Sequence, residues 1–264
     1  VLSADSVLFV GDTHANTTWL RKTVLPRAAE LEVDAIFQLG DFGYWPIRGN
    51  KFLEVAANAR KTHGVDVWFI DGNHDDHVSL RKDYLKTFVG TDERFPAELS
   101  PGFFYLPRGS RVEVAGLSVA CMGGAHSIDR AFRTPGEDWF PEEQITEEDV
   151  EAALKNPRAD ILVTHDAPAG WEIPGLMPRS SLPREWQKEL PACEAHREKL
   201  AEVLNIVQPK VLVHGHYHVG YSKTVDMPWG ALDVSGLNCE FTARWGMVIY
   251  KREDGFDLVW ENDL

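Results

Sequence analysis

The chain has 264 residues, 44% of them hydrophobic and 26% charged, which excludes disordered and fibrous structure and is enough to bury a substantial core. Asp and Glu number 41 against 27 Lys and Arg, a formal charge of −14, so the surface as a whole repels polyanions, whereas a protein living on phosphate-backbone contacts carries the opposite sign. The three cysteines, Cys121, Cys193 and Cys239, form no C-x-x-C pair, which argues against a disulfide framework or a cysteine zinc site and for a reducing cytoplasm.

The opening VLSADSVLFVGD has no basic segment before an apolar one, and no stretch approaches the roughly 18 apolar residues of a membrane span. We expect an unanchored protein. No repeat or low-complexity linker divides the sequence, so residues 1–264 are expected to form one domain. In chain order, β-branched or aromatic runs predict strands at Ser6–Val10, Ala35–Leu39, Val67–Ile70, Leu117–Met122, Ile161–Thr164 and Lys210–Val213. Between them, helical patterns cover Thr18–Glu32, kinked at Pro26, then Phe52–Thr62, His77–Phe88, Thr146–Leu154 and Glu194–Asn205. After His218, closely spaced extended runs (Tyr221–Val225, Ala231–Val234, Trp245–Tyr250, Phe256–Trp260) read as an antiparallel meander. Strand-loop-helix units followed by a meander imply an α/β fold with mixed sheets.

Five predicted strands run directly into clusters of Asp, Asn or His: Gly11-Asp12-Thr13-His14, Gly40-Asp41-Phe42-Gly43, Gly72-Asn73-His74-Asp75, Thr164-His165-Asp166 and His214-Gly215-His216-Tyr217-His218. Carboxyl ends of parallel strands converge on a crevice, so loops scattered over two hundred positions can meet there. Carboxylate oxygens mixed with imidazoles suit manganese, iron, zinc or nickel, and the lack of thiolates argues against a structural zinc site. No single piece is specific: with 10 His in 264 residues, one H-x-H arises by chance about 0.4 times. Five matches in order at five strand ends are another matter.

As a set, D-x-H, G-D, G-N-H-D, a lone His after a strand and G-H-x-H resemble the calcineurin-like metallophosphoesterase superfamily, from Asp12 to His218. The resemblance implies a four-layer α/β/β/α sandwich with two mixed sheets and two divalent metal ions, manganese foremost, at the strand ends. It implies one ion on Asp12, His14, Asp41 and His218 and the other on Asp41, Asn73, His165 and His216, Asp41 bridging. His74 matches the family's protonating histidine. The implied activity is hydrolysis of phosphate monoesters or diesters, nucleotides included, by in-line attack of a metal-bridging hydroxide. Two cations roughly 3.5–4 Å apart clamp a phosphate and acidify a shared water, which is why one carboxylate must touch both.

The second motif departs from that of serine/threonine phosphatases, which extends to G-D-x-V-D-R-G; Phe42-Gly43-Tyr44-Trp45-Pro46 supplies neither the Asp nor the phosphate-gripping Arg. The segment Gly123-Gly124-Ala125-His126-Ser127-Ile128-Asp129-Arg130 is similar to segments in bacterial and phage members. Its Arg130 and Arg133, three apart, are candidates for a bidentate phosphate clamp, and His126 for a substrate contact. His214 reads as a packing residue beside the ligands, Phe42, Tyr44, Trp45 and Trp171 as candidates to stack a base, and Pro141 to Asp149 as the solvated acidic start of a helix. A nuclease is the alternative enzyme, disfavoured by charge unless Arg130, Arg133, Arg179 and Arg184 form a basic strip, with Arg48 as a further candidate grip. A silent scaffold is the non-enzymatic alternative, disfavoured because every ligand and His74 are present.

Overall fold

Parallel strands buried on both faces are apolar at nearly every position, and the computed structural model places such runs at the centre of two sheets. It describes residues 2–45, 51–87, 94–253 and 255–264, with the side chains at 52 and 57 outside that description. Arg48 and the Phe88 end of the third predicted helix therefore lie outside the described residues.

The strands are β1 (Ser3–Ala4), β2 (Ser6–Val10), β3 (Ala35–Leu39), β4 (Asp66–Ile70), β5 (Ala97–Ser100), β6 (Phe103–Tyr105), β7 (Arg111–Val114), β8 (Leu117–Met122), β9 (Ile161–Thr164), β10 (Val211–His214), β11 (Tyr221–Met227), β12 (Gly230–Gly236), β13 (Gly246–Arg252) and β14 (Gly255–Trp260). Among the described residues they form two seven-stranded mixed sheets, ordered β14-β13-β2-β3-β4-β6-β5 and β1-β7-β8-β9-β10-β12-β11. Alternation along each strand divides the apolar side chains between layers. Val7 and Phe9 of β2 join Val119 and Cys121 of β8 in the core between the sheets. Leu8 and Val10 face the other way, toward Trp19, Val24, Leu25 and Ala28. Ala120 and Met122 of β8 turn from the inter-sheet core toward Leu200, Val203, Leu204 and Val207. Three apolar cores thus separate four layers, the α/β/β/α sandwich that the resemblance implies.

The helices follow the predicted positions with local departures. The first is α1 (Thr17–Trp19), a π turn over Leu20–Val24, and α2 (Leu25–Glu30). Pro26 has no N–H to donate back into the helix, and the wider π turn absorbs the fault. The predicted Phe52–Thr62 helix is divided at Asn58 into α3 (Lys51–Ala57) and α4 (Ala59–His63). Beyond α5 (His77–Thr87), α6 (Glu147–Lys155) starts in a capping box between Thr146 and Asp149.

The last helix, α7 (Arg184–Val207), begins ten residues before the predicted start because Pro191 lies inside it. Pro191 is exposed, so water can take up the carbonyl that its missing N–H releases. The C-terminal runs form two hairpins rather than one meander. In the first, β11 and β12 pair antiparallel while β12 runs parallel to β10; in the second, β13 pairs antiparallel with both β2 and β14 on the other sheet. Residues 237–245 make the crossing. Among the described residues no helix is long and apolar enough to cross a membrane.

Burial holds two structural histidines neutral. It lowers His196 to about 4 despite the Asp166 carboxylate 3.9 Å away, and lowers His77 to about 4 despite Asp71 at 3.8 Å. Unfolded, each titrates near 6.5, so the stability gained by keeping them neutral is complete above pH 6.5 and is lost as pH falls toward 4. We predict that His196→Gln flattens the decline of unfolding free energy between those limits by about 1.4 kcal/mol per pH unit. Urea denaturation at a series of pH values measures this, and an unchanged slope would show that His196 takes up its proton in the folded state.

Candidate metal centre

The loops after β2, β3 and β4 of one sheet and β9 and β10 of the other meet at the carboxyl ends of their strands. Close approach is obligatory there. A Cβ on Gly72 would lie 2.2 Å from Asp41 Oδ1, and one on Gly215 would lie 2.4 Å from Asp12 Oδ1. Four of the predicted ligands, His14, Asp41, His216 and His218, hold φ between +44 and +70. Each such left-handed residue costs of order 1–3 kcal/mol and persists where the surroundings over-determine it.

Asp41 stands at the middle. Its Oδ1 accepts the His74 backbone N–H at 2.7 Å and lies 3.4 Å from His165 Nε2; its Oδ2 is 3.6 Å from His14 Nε2 and 3.9 Å from His74 Nε2. Asp12 Oδ2 lies 2.9 Å from His218 Nε2, and its Oδ1 accepts the His216 backbone N–H at 3.1 Å. Three groups of donor atoms gather within 4.8 Å: Asp12 with His14 and His218, His14 with Asp41 and His74, and Asp12 with Asp41 and His165. The His216 ring lies outside these groups, edge-on to His165 at 5.0 Å between centroids.

The charges compensate one another. Burial would raise the Asp41 carboxyl, but His165 and His74 beside it hold it well below the usual range. Burial would lower His14, yet the Asp41 and Glu240 carboxylates lift it to about 11, and Asp41 and Asp12 lift buried His165 to about 10. The Asp12 hydrogen bond raises His218 to about 10, whereas burial and neighbouring His165 push His216 down to about 3.

The donor set fits a pair of divalent transition ions. His165 donates Nδ1–H to the Leu39 carbonyl at 2.7 Å, which aims Nε2 at Asn73 Oδ1, 3.1 Å away, and at Asp41 Oδ1. Three lone-pair atoms facing one another need a proton or a metal cation between them. Hard oxygens with imidazole nitrogen are the donors that manganese, iron or zinc accept.

Residues that motif reading missed hold the predicted ligands from behind. Glu240, in the crossing between sheets, contacts His14 Nδ1 at 2.9 Å; no metal motif precedes it. Ser127 accepts from the Asn73 amide, and Glu143 takes the Ser127 hydroxyl. Glu147, Glu148 and Asp149 form the acidic first turn of α6, the first two exposed as expected of a solvated helix start, but Glu143 and Asp149 are buried, which corrects that expectation for these two. His214 is fully buried against the Tyr221 hydroxyl at 2.7 Å, the packing role expected.

Arg133 reaches the centre; its Nη1 is 2.8 Å from His74 Nδ1 and its Nη2 2.7 Å from Nε2, while Asp129 grips the same guanidinium at 2.6 and 2.8 Å. Arg130 turns away, stacked 4.7 Å over Trp139 and 3.7 Å from Glu189. His126 is buried with Nε2 2.8 Å from Glu189, and Arg179 pairs with Glu194. Phe42 and Tyr44 stack on Phe69 in the core, and Trp171 lies 3.4 Å from the Tyr221 hydroxyl.

A four-layer sandwich whose sheet edges gather His and Asp clusters defines a protein with a site suited to two metals. Residues 6–220 match the family model described as calcineurin-like phosphoesterase, and the chain belongs to that family. Comparison with curated proteins finds no match. Among solved structures, one crystal structure is 15% identical with a TM-score of 0.54, covering 97% of this chain and 99% of that one. A dimetal phosphatase from Danio rerio is 13% identical with a TM-score of 0.50, covering 97% and 98%. An archaeal phosphodiesterase, 14% identical with a TM-score of 0.45, covers 97% and 99%.

The closeness of Gly72 to Asp41 separates placement of a ligand from its presence. Gly72→Ala removes no donor but drives a methyl into the Asp41 carboxylate, so divalent-metal affinity should fall about 10–100-fold, the usual cost of disturbing a ligand's support. Metal analysis of reconstituted protein reads this, and unchanged uptake would show that Asp41 is not needed where it stands.

Proposed function

We propose that this chain is a metal-dependent phosphoesterase that hydrolyses phosphate monoesters or diesters at a dinuclear centre, with manganese as the metal. The observation that carries the reading is the Asp41 carboxylate, shared between the His14 side and the His165 side of the site at 3.6 and 3.4 Å. Asp12, His14, Asp41 and His218 are assigned to one ion, and Asp41, Asn73, His165 and His216 to the other. When bound, the two ions supply charge to clamp the phosphate and a water acidified for in-line attack.

The chain's own residues do the rest. Asp41 and Asp12, buried and tied by backbone N–H groups, fix the spacing of the two sides. His74, one residue beyond Asn73, is assigned as the proton donor to the departing oxygen. Its imidazole lies against Arg133, which Asp129 holds from the far side. Burial lowers the His74 pKa, and Arg133 and His14 add to that while Asp41 opposes it. Arg133 thus stands beside the donor, placed to grip a phosphoryl oxygen through its planar fork. It supplies from the Gly123 segment what the second motif lacks.

A nuclease reading finds no support in Arg130 and Arg179, two of the arginines that would make a basic strip, since each faces a carboxylate. Free cysteines at 121, 193 and 239 suit a reducing cytoplasm.

The test compares leaving groups. An alkoxide needs a proton as it departs and p-nitrophenolate does not, and general acid catalysis contributes about 10²–10⁴-fold where needed. In manganese-reconstituted protein, His74→Ala should lower kcat/KM for alkyl or nucleoside esters by that order and spare p-nitrophenyl esters, with metal content unchanged. Equal losses for both esters would remove the proton-donor role, and activity surviving complete metal removal would overturn the whole reading. Arg133→Lys should raise KM for both esters, because an ammonium cannot reproduce a two-point contact; wild-type KM in that variant would return Arg133 to a bracing role.

A further inference from the structure

The segment from Gly123 to Glu143 takes no part in the motif set, yet it meets the centre at Asn73. The Asn73 Nδ2–H donates to Ser127 Oγ at 3.0 Å, the Ser127 hydroxyl donates to Glu143 Oε2 at 2.6 Å, and the Ser127 backbone N–H donates to Glu143 Oε1 at 2.8 Å. Ser127 and Glu143 are fully buried and Asn73 is nearly so, so no bulk water substitutes for any member of the chain.

Its direction is fixed by chemistry. A carboxylate only accepts, so the hydroxyl proton of Ser127 is committed to Glu143, and the Ser127 oxygen can meet Asn73 only through an N–H. A flipped Asn73 amide would set its carbonyl oxygen against the Ser127 lone pairs, with the one hydroxyl proton already given to Glu143. The amide therefore has one orientation, with Oδ1 turned to His165 and the centre.

Glu143 is in turn held from the other side. Arg108 donates to Asp71 Oδ2 at 2.9 and 2.6 Å and to the backbone carbonyls of Glu142, Glu143 and Gln144 at 2.9, 3.0 and 2.6 Å. Asp71 lies two residues before Asn73, so a closed circuit runs Asn73, Ser127, Glu143, Arg108, Asp71 and back along the chain.

We infer that Ser127 and Glu143 are positioning residues that lock the Asn73 side chain with its carbonyl oxygen, the only atom of that amide able to ligate, toward the metal centre. The inference rests on the assignment of Asn73 as a ligand under the proposed function. It gives the Gly123–Glu143 segment a role in setting the affinity of one ion and not the other.

The test titrates Mn²⁺ into chelator-stripped full-length protein by calorimetry and records the melting temperature of each stripped sample. Wild type should take two ions. Ser127→Ala, which removes the relay, and Glu143→Gln, whose amide can donate to Ser127 and reverse it, should each weaken one ion by about 10–100-fold and leave the other near its wild-type value. Ser127→Thr, which keeps the hydroxyl, should restore most of the loss. In an Asn73→Ala background, adding Ser127→Ala should change metal affinity no further, because both act through one side chain. Wild-type affinities in folded Ser127→Ala and Glu143→Gln would overturn the inference. So would an equal further loss of both ions when Ser127→Ala is added to Asn73→Ala, which would mark a general structural role. Fewer than two ions on wild type would overturn the reading on which it rests.

Discussion

Two carboxylates cannot be buried side by side without positive charge, and that constraint organises this molecule. Asp12 and Asp41 are essentially inaccessible to solvent, and repulsion from Asp41 works against the histidines that lower the Asp12 pKa. Burying a lone carboxylate costs several kcal/mol even after relaxation. Backbone N–H groups of His74 and His216 offset part of this, and the imidazoles of His14, His165 and His218 supply the charge. The same atoms that need protons here would accept divalent cations, and cation for proton is the exchange by which such sites load.

Holding those charges in place is what the two sheets are for. The loops that carry the donors adopt left-handed backbone at His14, Asp41, His216 and His218, conformations that a free loop would leave. Each leaves a strand buried on both faces, or lies beside one, so the strain is set against packing in three cores. The crossing from β12 to β13 serves the same end. By carrying the chain from one sheet to the other it brings Glu240 to His14, linking parts of the chain 226 residues apart.

Central strands and ligand loops were legible in the sequence for one reason: both are local. Ser6–Val10, Ala35–Leu39, Leu117–Met122 and Ile161–Thr164 have the predicted bounds, because a strand covered on both faces is apolar at most positions. The edge strands Ser3–Ala4 and Ala97–Ser100 and the short Arg111–Val114 beside the first of them were not legible. Two to four residues with one covered face leave too short an alternation to read. The first half of α7 was hidden by Pro191, which sequence logic treats as a boundary and an exposed helix tolerates. The residues that hold the predicted ligands were hidden for a different reason. Glu143 sits in an acidic run that is mostly exposed, and Arg108, donating to three successive carbonyls, together with Ser127, donating to the carboxylate, holds that one side chain inward. Nothing within the run distinguishes Glu143 from Glu142.

The second motif shows how chemistry can keep its place in space while leaving its place in the chain. After Asp41 the backbone turns on Asp75, whose Oδ1 accepts the N–H groups of Gly43 and Tyr44 at 2.8 Å each. That turn sends Phe42 and Tyr44 into the core against Phe69, so neither of these two side chains is presented to a substrate. The opposite wall of the crevice carries Asp129 and Arg133 instead, four residues apart, with the guanidinium of Arg133 on His74. An aspartate and an arginine beside the histidine are the pair of groups absent from the second motif. Their arrangement differs, however: the aspartate reaches His74 through the arginine. A carboxylate bonded directly to an imidazole raises its pKa, whereas a guanidinium between them lowers it. Burial lowers the His74 pKa most and Arg133 adds to it, so His74 is biased toward its neutral form in this structure. In the proposed reaction, a substrate phosphate that draws Arg133 away would remove the guanidinium's share of that bias and, by its own negative charge, favour the protonated imidazole that a proton donor must be.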